Sequence, residues 1–263
     1  MSTQGPSGPV LTFTAFSCTF HLISKTLERL QTMEIIRKSC ARGAREARGL
    51  AVVIDVFRAF TCEPFFFHLN AREVILEADP DKATAMKREH PAFVLIGEVN
   101  EVPLEGADLG NSPTDIVHRG EDYFSGKTVV HRTTAGVTGV AAALEKADEV
   151  ILGSFVMAKA ICRYIQNKKP DLVTLVAMGD RAKKKAPEDE ACADYLEHLL
   201  TGSPFDPVAA IKEVLFQPTA QKFITGEKAY LPREDPLFCL QRNLFDFVLT
   251  AKRIESHIRV VKI

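Results

Sequence analysis

Closely spaced metal-binding and disulfide motifs are missing from this 263-residue sequence. Its six cysteines lie far apart and form no Cys-x-x-Cys pair, and its seven histidines form no His-x-x-x-His pair. This spacing argues against a zinc site or a disulfide framework and is typical of a protein of the reducing cytoplasm. We therefore expect a cytoplasmic protein, and any metal in it to be a hard cation held by oxygen atoms.

Long apolar runs and an excess of charge are missing as well. No stretch reaches the roughly 18 uninterrupted apolar residues of a membrane span. The net charge of −1 provides no positive field for a nucleic-acid backbone. We expect neither a membrane nor a nucleic acid as a partner, and whether the chain forms a homo-oligomer is left open.

Residues 1–32 differ from the rest of the chain. They begin with a linker-like stretch rich in Ser, Gly and Pro, and the apolar stretch that follows lacks the basic start and cleavage site of a secretory signal. We interpret 1–32 as a disordered N-terminal extension. Residues 33–263 are predicted to form an α/β domain, either undivided or made of two subdomains.

From Met33 onward, apolar runs alternate with helical patterns. Such alternation favours an α/β fold with a mostly parallel or mixed sheet flanked by helices, and two lobes would place the site in the crevice between them. The stretch 99–125 is predicted to be irregular, and the pattern loosens after Pro218. Strands are predicted at 51–56, 73–76, 93–97, 127–133, 149–152 and 172–178, and helices at 61–70, 81–89, 137–145, 155–166, 188–200 and 207–215.

The strand at 51–56 carries the most informative pair of side chains. Its Ala-Val-Val-Ile run is typical of a strand that is covered on both faces. Ionised groups rarely enter such a core unpaired, so we expect Asp55 where the strand opens into a crevice. Together with Arg58 it indicates either a metal ligand beside an anion-binding group or an ion pair that closes the strand.

Small or acidic residues also follow the other predicted strands. Ligands of open α/β sheets gather at the carboxyl ends of the strands, so this repetition favours one shared site. Glycine and serine at these points also serve plain turns. The residues are Glu98, Thr133, Thr134, Gly136, Gly153, Ser154, Gly179 and Asp180.

Two further segments have both a functional and a structural interpretation. The stretch 131–139 runs from a strand through hydroxyls and glycines into a helix start, where N–H groups favour an anion, but threonine capping explains it equally well. Glu188 and Asp189 open a helix after Pro187, where acids favour the helix dipole. Cys192, one turn later, is interpreted as lining the site and not as a nucleophile, because no histidine is placed beside it.

Six blocks, in their order and spacing, resemble the 2-phosphosulfolactate phosphatase family. The likeness spans about residues 33–263 and includes the tail block DPLFCL. It implies Mg²⁺-dependent removal of phosphate from 2-phosphosulfolactate, which yields 3-sulfolactate on the route to coenzyme M. The blocks are AVVIDVFRAFT, LIGEV, EGADLGNSP, SGKTVVHRTTAG, ILGSF and PEDEACADYL.

The resemblance also implies groups of site residues. Asp55 and Glu98 belong to an acidic, metal-side part, and Glu188, Asp189 and Cys192 to a later acidic block. The anion-binding groups are Arg58, Asn111, Ser112, Thr133, Thr134 and Ser154. From their chemistry we predict catalytic roles for Asp55, Glu98 and Asp189, metal binding by Asp55, Glu98 and Glu188, and substrate binding by Gly136, Cys192 and the anion-binding groups.

Two positions depart from the family pattern. Val99 stands where members usually carry arginine, and Ala135 where they carry asparagine. Losing an arginine and an amide donor weakens recognition of a sulfonate or phosphate. The expected function is a phosphatase acting on a small anionic phosphorylated substrate, in which Asp55 attacks phosphorus or an acid activates water. The alternatives are a relative that binds a small anion without turnover, and a structural protein whose acids only cap helices.

Overall fold

The computed structural model describes residues 1–2 and 33–263, so the predicted N-terminal extension lies almost entirely outside the described residues. The strands are β1 (Glu34–Ser39), β2 (Leu50–Ile54), β3 (Glu73–Leu76), β4 (Val94–Val99), β5 (Val102–Pro103), β6 (Thr128–Arg132), β7 (Glu149–Gly153), β8 (Leu172–Ala177), β9 (Leu249–Ile254) and β10 (His257–Lys262). The helices are α1 (Cys40–Arg45), α2 (Ala59–His68), α3 (Pro80–Glu89), α4 (Pro113–Arg119), α5 (Glu121–Phe124), α6 (Gly136–Ala143), α7 (Ala158–Lys168), α8 (Pro187–Thr201), α9 (Pro207–Leu215), α10 (Pro218–Ile224) and α11 (Asp235–Cys239), with a 3₁₀ turn at Phe155–Met157 before α7.

All ten of these strands form one mixed sheet, in the order β1-β8-β2-β7-β9-β10-β3-β6-β4-β5. A first parallel block contains β1, β8, β2 and β7, and a second contains β3, β6 and β4. The β9–β10 hairpin joins the blocks and runs antiparallel to both neighbours. The α/β prediction is confirmed, whereas the alternative of two lobes is not confirmed.

The chain passes between the two blocks at the links that follow β2 and β6. Helix α2 comes after β2 of the first block, yet its Phe66 packs on His131 of β6 in the second block. Helix α6 comes after β6, yet a Cβ added at its Gly139 would meet Val53 of β2 and Met178 after β8. The β2–α2 and β6–α6 links therefore cross, and such a switch point in an α/β sheet forms a crevice.

The prediction of irregular structure over 99–125 is wrong in part. This stretch contains β5, α4 and α5, which are too short to show a clear helical or strand period. Helix α4 begins where the Ser112 side chain accepts a hydrogen bond from the Asp115 backbone N–H, with Pro113 in the first turn. Elsewhere the predicted strands fall on observed ones. Every helix in the described part of the chain is too short or too polar to cross a lipid bilayer.

Candidate active site

A cavity of about 60 Å³ lies where the two links cross. That volume has room for a few water molecules or a small ion beside a ligand group. Residues from both parallel blocks and from α8 and α10 line it. It brings together most of the predicted site residues, namely Asp55, Arg58, Glu98, Asn111, Thr133, Thr134, Glu188 and Asp189.

Asp55 lies directly after β2 and is 6% exposed. Its carboxylate accepts hydrogen bonds from the backbone N–H groups of Ala59, at 3.3 Å, and of Gly136 at the start of α6. Burial raises the pKa of Asp55 to about 6, and the negative charge of Glu98 adds to the rise. The helix start that was predicted to bind an anion thus already faces a carboxylate of the protein itself.

Glu188 and Asp189 open α8 beside Asp55, but their surroundings differ. Asp189 accepts 2.7 Å hydrogen bonds from the backbone N–H groups of Val56 and Gly179, so it joins the loops after β2 and β8. Glu188 is 3% exposed, and its Oε2 has no hydrogen-bond partner among the described residues. Burial raises the pKa of Glu188 to about 7, with a further rise from the charge of Asp55.

Glu98 holds two loops of the second block together. Its carboxylate accepts from the Thr134 backbone N–H at 2.6 Å, from the Thr134 hydroxyl at 3.1 Å and from the Glu101 backbone N–H at 2.5 Å. Thr133 Oγ1 accepts from the Val137 N–H at 3.2 Å and so caps α6. Glu98 and both threonines therefore organise the cavity wall as well as line it.

A buried carboxylate that the sequence analysis did not assign, Asp235, holds Arg58. Asp235 Oδ2 lies 2.8 Å from Arg58 Nη1, and both side chains are at most 5% exposed. Asp235 Oδ1 accepts from the Ser112 hydroxyl at 2.7 Å and from the Thr114 backbone N–H at 3.2 Å. The Arg58 guanidinium also lies over the ring of Phe223, 5.2 Å from its centroid. Its orientation beside the cavity is consequently fixed by the protein.

Acidic side chains outnumber basic ones around the cavity. Six carboxylates line it, against the three cationic side chains Arg58, Arg181 and Lys222. Arg58 is paired with Asp235 and Lys222 with Glu101. Burial is the main cause of the raised pKa values of Asp55 and Glu188, and the mutual repulsion of these carboxylates adds to the rise.

The structure does not bring every predicted substrate-binding residue to the cavity wall. Ser112 bonds to Asp235, and the fully buried Ser154 donates to the Phe60 carbonyl at 2.8 Å. Gly136 touches Asp55, since a Cβ added there would lie 2.9 Å from Asp55 Oδ2. Cys192 is fully buried on the core side of α8, and burial raises its thiol pKa well above the ordinary value. These four residues support neighbours of the site, and their direct contact with a substrate stays a prediction.

Several residues around the site were missed by sequence reasoning. Asp235 opens the DPLFCL block, so the block itself was a signal for it. Glu63 forms a buried pair behind Asn111 with His131, the first residue of the 131–139 stretch. Lys222 lies on α10, in the region where the pattern loosens, and no sequence signal points to it.

Comparison with known proteins shows the family of the chain. A family model described as 2-phosphosulpholactate phosphatase matches residues 37–253. The chain belongs to this family. A Bacillus subtilis protein described as a probable 2-phosphosulfolactate phosphatase is 30% identical over 205 residues, which cover 77% of this chain and 86% of the relative. A Caldanaerobacter subterraneus protein of the same description is 30% identical over 232 residues, covering 83% and 93%.

Family membership identifies the chain as a phosphoric monoester hydrolase. The two positions that we expect to depart from the family pattern lie in different places in the structure. Ala135 lines the cavity, whereas Val99 is not among its lining residues and lies on β4 opposite Val102. A departure at position 135 would therefore act on the cavity wall directly.

Proposed function

We propose that this protein is a Mg²⁺-dependent phosphatase that hydrolyses 2-phosphosulfolactate to 3-sulfolactate and phosphate. The support comes from family membership and from one feature of the site. Four buried carboxylates, Asp55, Glu98, Glu188 and Asp189, lie beside Arg58 in a single cavity. A phosphate monoester needs its negative charge balanced and its attacking oxygen aligned, and this arrangement serves both needs.

The acidic residues fit a hard divalent cation by their chemistry. Carboxylate oxygens are the ligands that Mg²⁺ prefers, and the buried Glu188 Oε2 is left without a partner by the described residues. Within residues 33–263, no three His, Cys, Asp or Glu side chains already converge as a metal-binding group. On the basis of their carboxylate chemistry and their shared cavity, the residues that we propose would hold the ion are Asp55, Glu98 and Glu188. The ion would supply charge neutralisation to the ester oxygens.

The chain's own residues would bind the anion, provide or orient the attacking group and position the loops. Arg58, held by Asp235, and the amide of Asn111 face the cavity as donors to phosphate or sulfonate oxygens. Either the Asp55 carboxylate attacks phosphorus and displaces the ester oxygen, leaving an acyl phosphate that water then hydrolyses, or Asp55 orients a water that displaces this oxygen itself. Glu188, whose pKa of about 7 applies to the protein without an ion, would give up its proton when it holds the ion, so we assign it no acid–base step. Asp189 has both oxygens bonded to backbone N–H groups, so we assign it the positioning of the two loops.

Phosphate release from a panel of phosphorylated hydroxy acids, with Mg²⁺ and with EDTA, tests the proposal. We expect 2-phosphosulfolactate to be the best substrate and EDTA to abolish turnover until Mg²⁺ is restored. Asp55→Asn keeps the side-chain volume and is expected to lower kcat at least about 10³-fold, since it removes the charge on which either version of the reaction depends.

Asp194→Asn serves as the control, because Asp194 lies in an exposed ion pair with Arg37. It should leave kcat unchanged. Near-normal turnover by Asp55→Asn would contradict both versions of the reaction. Tight binding of 2-phosphosulfolactate without any phosphate release would instead support a relative that binds an anion without turnover.

A further inference from the structure

A buried series of hydrogen bonds reaches the cavity wall from the core. Glu63 Oε1 lies 2.6 Å from His131 Nδ1, and His131 Nε2 lies 3.0 Å from Asn111 Oδ1. Glu63 and His131 are fully buried, and Asn111 is the member that lines the cavity. We propose that Glu63 and His131 are positioning residues that keep the Asn111 NH₂ group towards the cavity, where it donates to an oxygen of the bound phosphate group. This role rests on the proposed function.

The contacts of His131 indicate which atoms of this series donate hydrogen bonds. An ionised Glu63 only accepts hydrogen bonds, so His131 Nδ1 carries a proton. The carbonyl oxygen of Asn111 also only accepts, so Nε2 carries a proton as well. The ring is then a cation, and Glu63 is its counter-ion. The opposite amide orientation would present Oδ1 to phosphate oxygens, which are themselves acceptors.

Two observations indicate that this series of hydrogen bonds is rigid and that it needs the Glu63 carboxylate. Phe66 packs edge-on against the His131 ring, with the centroids 5.4 Å apart, and limits its rotation. Glu63 Oε2 is buried without a hydrogen-bond partner in the described part of the chain. Such an oxygen is costly to bury, so packing alone does not explain an acid here, whereas a counter-ion to His131 does. Since Glu63 is on α2 and His131 on β6, the series also joins the two crossing links.

A double-mutant cycle with Glu63→Gln and Asn111→Ala tests the proposal. The measured quantity is the Kd of inorganic phosphate, by calorimetry in the presence of Mg²⁺. A neutral amide in place of the Glu63 carboxylate no longer stabilises the doubly protonated ring. The Asn111 amide then flips, and its NH₂ group no longer points to the phosphate. We expect each single variant to weaken phosphate binding about tenfold, and the double variant to be no weaker than either one. Glu149→Gln, which changes an ion pair with Lys168 outside the cavity lining, should leave the Kd unchanged.

If the two losses of phosphate affinity multiplied in the double variant, the proposal would be overturned. Glu63 would then affect phosphate binding without the help of Asn111. A wild-type protein that binds no phosphate would overturn it as well. Nitrogen-15 spectra of His131 in the wild-type protein need no variant to fold: both ring nitrogens should be protonated, and a ring with one unprotonated nitrogen would refute the mechanism. Phosphate binding with the expected cycle, but no release of phosphate from 2-phosphosulfolactate, would refute only the proposed function.

Discussion

The two sides of the cavity differ in how their charges are balanced. On the donor side, Arg58 is paired with Asp235 and His131 with Glu63, each at 2.8 Å or less. On the acidic side, Asp55 and Glu188 form no ion pair with any residue of the described chain within 4.0 Å. Their pKa values are raised instead, to about 6 and about 7.

This difference indicates that only the donor side has its charges balanced before a ligand binds. Paired cations on the donor side keep their geometry without help, so their hydrogen-bond donors are preorganised for an anion. Carboxylates that crowd together without a counter-ion destabilise the fold until a cation or protons arrive. A divalent ion is therefore expected to stabilise the acidic side more than the donor side. The predictions below test the two sides separately.

The largest effect is expected from breaking the donor side at Asp235. Asp235→Asn leaves the Arg58 charge buried without its counter-ion, which costs roughly 3–5 kcal/mol of the free energy of unfolding. It also releases the guanidinium, so KM for the phosphate ester should rise at least about tenfold. Urea denaturation and steady-state kinetics measure the two effects.

Asp194→Asn is the matched control, because the Asp194 side chain is 61% exposed in its pair with Arg37. Exposed pairs contribute about 1 kcal/mol or less. If Asp235→Asn cost no more than this control, Asp235 would not be holding a buried charge.

Neutralising a carboxylate on the acidic side should have a smaller effect on stability, and of the opposite sign. The pKa of Glu188 is about 7, against an ordinary 4.5, so the folded protein holds this proton more tightly than the unfolded chain does. Stability of the metal-free protein consequently falls as the pH rises from about 4.5 to about 7, by on the order of 3 kcal/mol at most. Glu188→Gln removes that loss, so in EDTA it should stabilise the protein by up to about 3 kcal/mol at pH 8 and much less at pH 5.

Glu190→Gln, two residues further along α8, is the comparison for this change. Glu190 is ion-paired with Arg37 and Lys185, so neutralising it should lower stability slightly at pH 8. Urea titrations at both pH values measure the difference. A Glu188→Gln gain that is the same at pH 5 and pH 8 would show that its charge is not the cause.

The sequence was informative where neighbouring residues determine the structure. Buried strands such as β2 were predicted because a continuous apolar run of this length favours a strand covered on both faces. The acids and hydroxyls after these strands were predicted because carboxyl ends of parallel strands meet. By contrast, the place of the β9–β10 hairpin between the two blocks depends on pairing between distant strands, which no local pattern specifies.

The difference between local and long-range determinants also explains which site residues the sequence did not reveal or placed wrongly. Asp235 is 177 residues from Arg58, and Glu63 is 68 residues from His131, so neither pair leaves a local signal. Ser154 and Cys192 follow the right strand and helix start, but their side chains point into the core. Position after a strand predicts that a residue is near the site, while the direction of its side chain depends on the tertiary packing around it.

The smallest change that we propose adds one methyl group at Gly136, where the two links touch. A Cβ added at Gly136 would lie 2.9 Å from both Asp55 Oδ2 and Phe60 Cζ, and neither neighbour is free to move far in a buried site. Gly136→Ala should therefore cost about 1–3 kcal/mol of stability and lower kcat by displacing the Asp55 carboxylate. Gly110→Ala is the control, since its Cβ would meet no atom closer than 3.5 Å. Equal stability and kcat for the two alanine variants would mean that the close contact between Gly136 and Asp55 is not needed for the reaction.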